Sequence, residues 1–272
     1  MKQILTALAL LSLSPASVAA HEYWIAPETH RAEEGTTLRA DLRVGQDFSG
    51  EVYPWLRRNV IAARVEGPDG AADLGGREGD IPALSVPLGG PGLYRISLHT
   101  TPAYLIFDSF DQFVRYTEYE GLTGIAERHK ARGLPDKGFG EAFTRNARAL
   151  VQVGPATPDQ TDAPSGMPFD LVAEANPFVE GLAGLPVRLT WQGQPSPDTQ
   201  IAVFLLPEGG TAPQDTVRST LRTDADGRAL IPLPQAGRYM LAAVHIEELS
   251  PEESAAAVWA SHWASLTFAT TP

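Results

Sequence analysis

Apolar and polar residues alternate along much of this chain. Thr37 to Val44, TLRADLRV, sets Leu38, Ala40, Leu42 and Val44 against polar neighbours, the pattern of a half-buried strand. Ile61 to Glu66, IAARVE, runs into Gly67-Pro68-Asp69-Gly70, a strong turn signal. Gly92 to His99 (GLYRISLH) and Tyr104 to Phe107 (YLIF) continue the series. The second half repeats it in Leu185 to Trp191, Thr199 to Leu206, Ser219 to Thr223, Arg228 to Pro232, Gly237 to His245 and Ala264 to Phe268. Asp224-Ala225-Asp226-Gly227, between two of these, predicts a tight hairpin, because Asp-Gly favours positive φ. Short strands with turns at regular spacing predict antiparallel sandwiches.

Between Asp108 and Asn146 the texture changes. Phe110, Phe113 and Val114, followed by Arg and Lys residues, predict helix, interrupted at Gly133-Leu134-Pro135. Glu141 to Leu150 predicts a second short helix leading into the strand ALVQVG. Gly154 to Gly166, rich in Pro, Thr and Asp, reads as an exposed linker or long loop. The expected fold is therefore mainly β: two antiparallel immunoglobulin-like sandwiches with a helical insertion between them. The expected boundaries are a leader at 1–20, an N-terminal sandwich at 21–107, and an insertion with a return strand at 108–153. A linker at 154–182 and a C-terminal sandwich at 183–272 complete the division. No internal repeat is visible.

The first twenty residues set the compartment. Lys2 precedes an apolar run from Ile4 to Leu13, and the stretch then turns small, ending Val18-Ala19-Ala20. That is the layout of a signal peptide, and its core is too short to span a bilayer, which takes about 20 apolar residues. No later stretch is long enough to span either, so the mature chain is expected to be exported, soluble and without a membrane span. Of 272 residues none is cysteine, which removes disulfides, thiolate metal sites and a cysteine nucleophile. Met167 and Met240 alone remain after the leader, too few for a methionine-rich copper site. The net charge of −12 gives no electrostatic reason to seek nucleic acid or anionic lipid.

A cut after Ala20 would make His21 the first residue. Its free α-amino group and its ring Nδ1 then form a chelating pair that no internal histidine offers. A further imidazole completes a three-nitrogen set, which favours copper(II) or nickel(II) over magnesium or calcium. The other histidines are His30, His99, His129, His245 and His262. His99 and His245 end apolar strands, where loops gather side chains into sites. His129 lies between Arg128 and Lys130 and reads as a solvated surface residue, His30 as a loop residue. His262, between Trp259 and Trp263, reads as packed or facing solvent. The chain has no G-x-S-x-G elbow, no H-E-x-x-H and no phosphate loop, so no enzyme motif is found. The carboxylates Asp108, Asp111, Glu118 and Glu120 read as a solvated helix face.

The segments AHEYWIAP, DLRVGQDFSG, FDQFVRYTEYEGL, ARGLPDKGFGEAFTRNARALVQVG, NPFV, LPVRLTWQGQP, RTDADGRALIPL and WASHWASLTF resemble, in order and spacing, a family of exported bacterial proteins. These carry a domain of unknown function labelled nickel uptake, the periplasmic substrate-specific component of nickel/cobalt transport. The resemblance spans essentially the whole mature chain. It implies a mature terminus beginning at His21 and a C-terminal sandwich of transthyretin-like form. His99 and His245 fall at positions that resemble histidine-bearing strand ends of relatives.

Two functions follow as expectations. The first is a periplasmic binding protein for a divalent transition metal (nickel, cobalt or copper) that uses His21 with His99 or His245 and serves an inner-membrane metal transporter. The second is a metal-free exported module that binds a polymer or envelope partner through loops, with Tyr53 and Trp55 exposed. An oxidative copper enzyme built on the same terminal chelate ranks below both. N-terminal sequencing of the exported protein is expected to start at His21; a sequence starting at Glu22 or later, or retaining Met1, excludes the terminal chelate.

Overall fold

The computed structural model describes residues 22–271. In chain order the strands begin with β1 (Glu22–Pro27), β2 (Arg31–Ala32), β3 (Thr37–Gln46), β4 (Ser49–Tyr53), β5 (Val60–Gly67) and β6 (Gly70–Asp73). β7 (Leu84–Pro87), β8 (Gly92–Thr100) and β9 (Ala103–Phe107) lead to helices α1 (Phe110–Tyr119) and α2 (Ile125–Ala131). β10 (Phe139–Val153), β11 (Phe169–Ala173), β12 (Gly184–Trp191), β13 (Gln194–Pro195) and β14 (Gln200–Pro207) follow. β15 (Val217–Arg222), β16 (Arg228–Pro232), β17 (Gly237–Glu248) and β18 (Trp259–Thr270) complete the order.

The protein is mainly β, with sheets packed face to face. One ten-stranded sheet runs β15-β14-β17-β18-β10-β8-β5-β6, with β2 and β9 also paired to β10. A sheet of β1, β3, β4 and β7 and a sheet of β11, β12, β13 and β16 complete the set. Alternation along the long strands divides the large sheet into two faces. One face sends Ile96, Leu98, Ala147, Ala149 and Val151 into a core with Ile25, Leu38 and Val86 of the first small sheet. Further along it, Val244, Ile246, Trp259 and Trp263 pack with Phe113 and Tyr116 of α1. The opposite face sends Leu93, Leu150, Leu241 and Leu266 into a core with Leu171, Val187 and Ile231 of the second small sheet.

The alternating segments read from sequence as strands are all strands. Helices also form where expected: Ser109 caps α1 by accepting a hydrogen bond from Gln112 N, and α1 buries Phe113 and Tyr116 on one side. Three expectations fail. Glu141 to Leu150 is strand, not helix, because β10 is buried on both faces and tertiary packing overrides the helix preference of its Ala, Glu and Arg residues. The sheets are not purely antiparallel: β10 pairs β18 in parallel, with Thr144 opposite His262. The Asp224–Gly227 turn is no hairpin, since β15 belongs to the ten-stranded sheet and β16 pairs β12 in the other. Asp224 Oδ1 instead accepts from Asp226 N and Arg228 N, closing a turn that carries the chain between layers.

The polar residues of β10 explain how it tolerates burial. Arg148 is 1% exposed; its Nη2 donates to Asp162 Oδ1 at 2.6 Å and its Nη1 to Asp170 Oδ1 at 3.2 Å. The same guanidinium also donates to the carbonyls of Ala163 and Leu171. Gln152 Nε2 donates to Pro155 O and Gln160 Oε1. The loop after Gly154 is thus pinned to the sheet rather than exposed along its length, and β11 within 154–182 is wholly buried. Removing one partner from a buried ion pair strands the others. Arg148→Ala is expected to cost about 3–5 kcal/mol in denaturant unfolding. R148M with D162N and D170N together should cost less than R148A alone; an R148A within measurement error of wild type refutes the clamp.

Candidate functional site

Two groups of titratable side chains lie on opposite faces of the ten-stranded sheet, one buried and the other part-buried. The first lies where β1 begins. Glu22 is 2% exposed, and its strand pairs β3 from Glu22 opposite Gly45 onward. Ser265 and Thr267 of β18 donate their hydroxyls to the carbonyls of Tyr23 and Ile25, which lays β1 across the centre of the large sheet. Glu120, directly after α1, and Glu141, early in β10, are buried too.

The end of α1 is held firmly. Tyr119 O accepts from Gln200 Nε2 at 2.9 Å and from Arg218 Nη2 at 3.0 Å, and the Arg218 guanidinium lies 4.0 Å from the Tyr119 ring. Cations suit a helix C-terminus, whose carbonyls lack helical partners. Gly121 takes φ +66 there, and a Cβ on it would meet Gln200 Oε1 at 2.5 Å, so glycine is required twice over. Glu120 is therefore delivered by a fixed backbone.

Each carboxyl in this group has an oxygen without a hydrogen-bond partner: Glu22 Oε2, Glu120 Oε1 and Glu141 Oε2. Glu141 Oε1 accepts from Ser261 Oγ and from the Tyr116 hydroxyl. Burial pushes Glu22 up to about 7, with Asp47 adding to the rise and Arg145 and Arg218 opposing it. Burial and then the Glu22 charge push Glu120 up to about 8, and burial pushes Glu141 up to about 7. Arg145 is buried among aromatic rings, 4.6 Å from Trp263 and 4.9 Å from Phe143. Beside it a cleft of about 280 Å³ opens between Tyr23, Tyr53, Leu56 and Phe143. Buried oxygens without partners cost free energy unless a donor or cation meets them.

The second group lies on the other face, under the second small sheet. His245 of β17 is directly opposite His262 of β18, with ring centroids 6.3 Å apart. Trp191, ending β12, covers both at 4.5 Å and 4.3 Å. His262 Nδ1 bonds Thr144 Oγ1 at 2.9 Å. His99 of β8 shares this face, on the same alternation as Leu93, and its charge helps hold His262 down. Burial lowers His99 and His245, and it brings His262 to about 4. Glu247 Oε2 lies 3.2 Å from His262 Nε2, yet it is half exposed and His262 Nε2 has no hydrogen bond, so it does not hold a proton on the ring.

His99 and His245, singled out by sequence, are thus gathered with His262. Glu22 points to the opposite side of the sheet. His21 lies outside the described residues. Among the described residues no group of three or more His, Asp or Glu is arranged to hold a metal ion. His129 is not a surface residue: it is fully buried against Phe113 and Phe139, with Nδ1 accepting from Trp259 Nε1 and Nε2 bonded to Pro135 O. Its charged neighbours misled because α2 is short and turns His129 inward on the same side as Ile125, one turn earlier. His30 is also buried, with Nδ1 on Leu150 O. Trp55 is buried and Tyr53 exposed.

The described residues form layered β-sheets that carry these two polar groups, and no helix among them is long and apolar enough to cross a membrane. The chain belongs to the family described as "Domain of unknown function (DUF4198)", which matches residues 18–247. No curated protein matches it. Among solved structures it is similar to the D0-D1 domain of intimin, with 10% identity over 90% of this chain and 96% of that one. The TM-score is 0.21, a likeness too remote to bear on fold or function.

The histidine group has a pH signature. Below about 6.5 the unfolded chain takes a proton that folded His262 refuses until about 4. Stability is therefore lost as pH falls through that window, by roughly 3 kcal/mol at most for this residue. His262→Gln should remove that acid loss, read as the difference in unfolding free energy between the two proteins at pH 7 and pH 4. The raised glutamates act in the opposite direction and cancel in the comparison. Parallel pH profiles would show that His262 titrates normally in the fold.

Proposed function

We propose that this is a periplasmic transition-metal-binding protein for nickel, cobalt or copper, and that its mature N-terminal histidine holds the ion. The observation that carries the reading is Glu22, the residue bonded to His21. It is buried, locked in register at the start of β1, and set among carboxyl oxygens that lack partners. A cut after Ala20 would make His21 the chain neighbour of this buried carboxyl group. In this reading the α-amino group and ring Nδ1 of His21 chelate one ion, a donor pair that no internal histidine offers. The ion is cargo, passed to an inner-membrane metal transporter. The overall layout is read as two immunoglobulin-like sandwiches that share the ten-stranded sheet.

The second reading, a metal-free exported module, is favoured by the cleft beside Arg145, where Tyr53 stands at the mouth and is 45% exposed. Calorimetric titration with Ni(II) and Cu(II) separates the two. The mature protein is expected to bind one ion, and a variant with one residue added ahead of His21 is expected to lose most of that affinity while melting like the native chain. Equal binding by the two proteins would end the terminal-histidine reading. If His245→Ala rather than the extension abolished binding, the ion would belong to the histidine group under Trp191.

A further inference from the structure

Where β8 ends, a cleft of about 280 Å³ opens between the first small sheet and the large one. Its walls are mostly apolar: Leu42 and Val60 belong to the buried core, and Phe143 and Tyr53 add aromatic rings. Arg145 is the one charged residue among those lining it, in a chain whose net charge is −12. A protein so acidic repels anions over most of its surface, so a cation set in an apolar cleft selects for them locally.

We propose that this cleft binds a small organic anion, an apolar or aromatic body carrying one carboxylate, with the body between Phe143 and Tyr53 and the carboxylate on the Arg145 guanidinium. The volume sits near the lower end of small-molecule sites, roughly 300–1,000 Å³, which suits a body of about one or two rings. Arginine recognises a carboxylate through paired N–H donors, and its five donors can serve an anion as well as neighbours already bonded to it. The guanidinium lies 4.9 Å from the Phe143 ring and 4.6 Å from that of Trp263, so it is held in place. In so apolar a setting a charge-assisted hydrogen bond is stronger than in water. Burial pushes Glu22 and Glu141 up to about 7, so at neutral pH these acids carry less than full negative charge to offset the guanidinium.

The rim is built before any ligand arrives. Thr100 Oγ1 accepts from Arg145 N at 2.9 Å. Thr101 ties the turn after β8 to the segment before β5, its N donating to Asn59 O and its Oγ1 to Arg58 O. Trp55, 1% exposed, anchors the residues that follow Tyr53, with its N donating to Asp80 O at 3.0 Å. A preformed cleft loses little freedom on binding. Tyr53 itself stays 45% exposed at the mouth, a large ring that a ligand would shield from water. Neither His21 nor a metal ion takes part, so the cleft serves whether or not an ion is bound at the terminus.

Calorimetric titration of the mature protein in EDTA with phenylacetate, phenylacetamide and acetate tests the assignment. Phenylacetate is expected to bind once per chain, the neutral amide at least about ten-fold more weakly, and acetate, which lacks the ring, at the limit of detection. Arg145→Gln should bring phenylacetate down to the affinity of the amide. Because Arg145 is buried, that variant can fail to fold. Ala103→Trp puts a ring into the cleft from the exposed start of β9, and it should abolish binding while melting like wild type. No binding of phenylacetate at millimolar concentration overturns the assignment. An amide that binds as tightly as the acid does so too, as does phenylacetate binding that ignores A103W or a folded R145Q. Self-association that A103W abolishes and phenylacetate leaves undisturbed would place a second copy of the chain in the cleft and overturn it as well. With EDTA present, none of these outcomes bears on the terminal chelate.

Discussion

The structure depends on one buried cation. Arg148 lies midway along β10, the strand that touches more of the molecule than any other, and it answers two aspartates brought from the following loop and from β11. A buried ion cluster is weak evidence for stability, because desolvation offsets much of the attraction. Its effect here is on specificity. With Arg148 turned toward Asp162 and Asp170, alternation forces Glu141, Arg145 and Ala147 to the other face. A one-residue slip would bury Arg148 among Ala147, Ala149 and Val151's present neighbours and would take Arg145 away from Glu22. The register of one strand thus sets both the packing of the loop and the composition of the pocket under β1.

Much of the β framework was legible because burial on one face leaves a period-two signature. β3, β8 and β12 carry it most clearly, whereas β14 and β17 are continuous apolar runs that stand out by their length and the turns around them. β10 was not legible over Glu141 to Leu150, since its polar residues are buried rather than solvated and its Ala, Glu and Arg favour helix in isolation. β1 and β11 were missed for a related reason. They lack alternation and, at six and five residues, are too short to stand out as apolar runs. The Asp224–Gly227 turn has sound hairpin chemistry, but turn chemistry does not say which sheet the next strand joins.

The two polar groups differ in how far sequence could reach them. Strand ends flagged His99 and His245, and the structure gathers both with His262, which its neighbouring tryptophans had made look like packing. The carboxylates gave no such signal. Glu22, Glu120 and Glu141 come from three elements, and each reads locally as an ordinary solvated acid. Glu120 even belongs to a run of acids that suits a helix surface. Only the tertiary fold, with Gln200 and Arg218 drawing the end of α1 down onto the sheet, turns it inward. His129 shows the same limit from the other side: charged neighbours do not expose a residue on a two-turn helix.

The parallel pairing of β10 with β18 has a temporal consequence. Thr144 and His262 are partners in register but 118 residues apart in sequence. A chain that appears N-terminus first can pair β8 and β9 with one edge of β10 and the short β2 with the end of the other, yet most of that second edge stays open until Trp259–Thr270 arrives. Contacts of such long separation form slowly, because the intervening loop must close before they reward it. Open strand edges are templates for wrong partners. A chain interrupted anywhere before Trp259 would therefore be left unfinished through its middle rather than frayed at its margin.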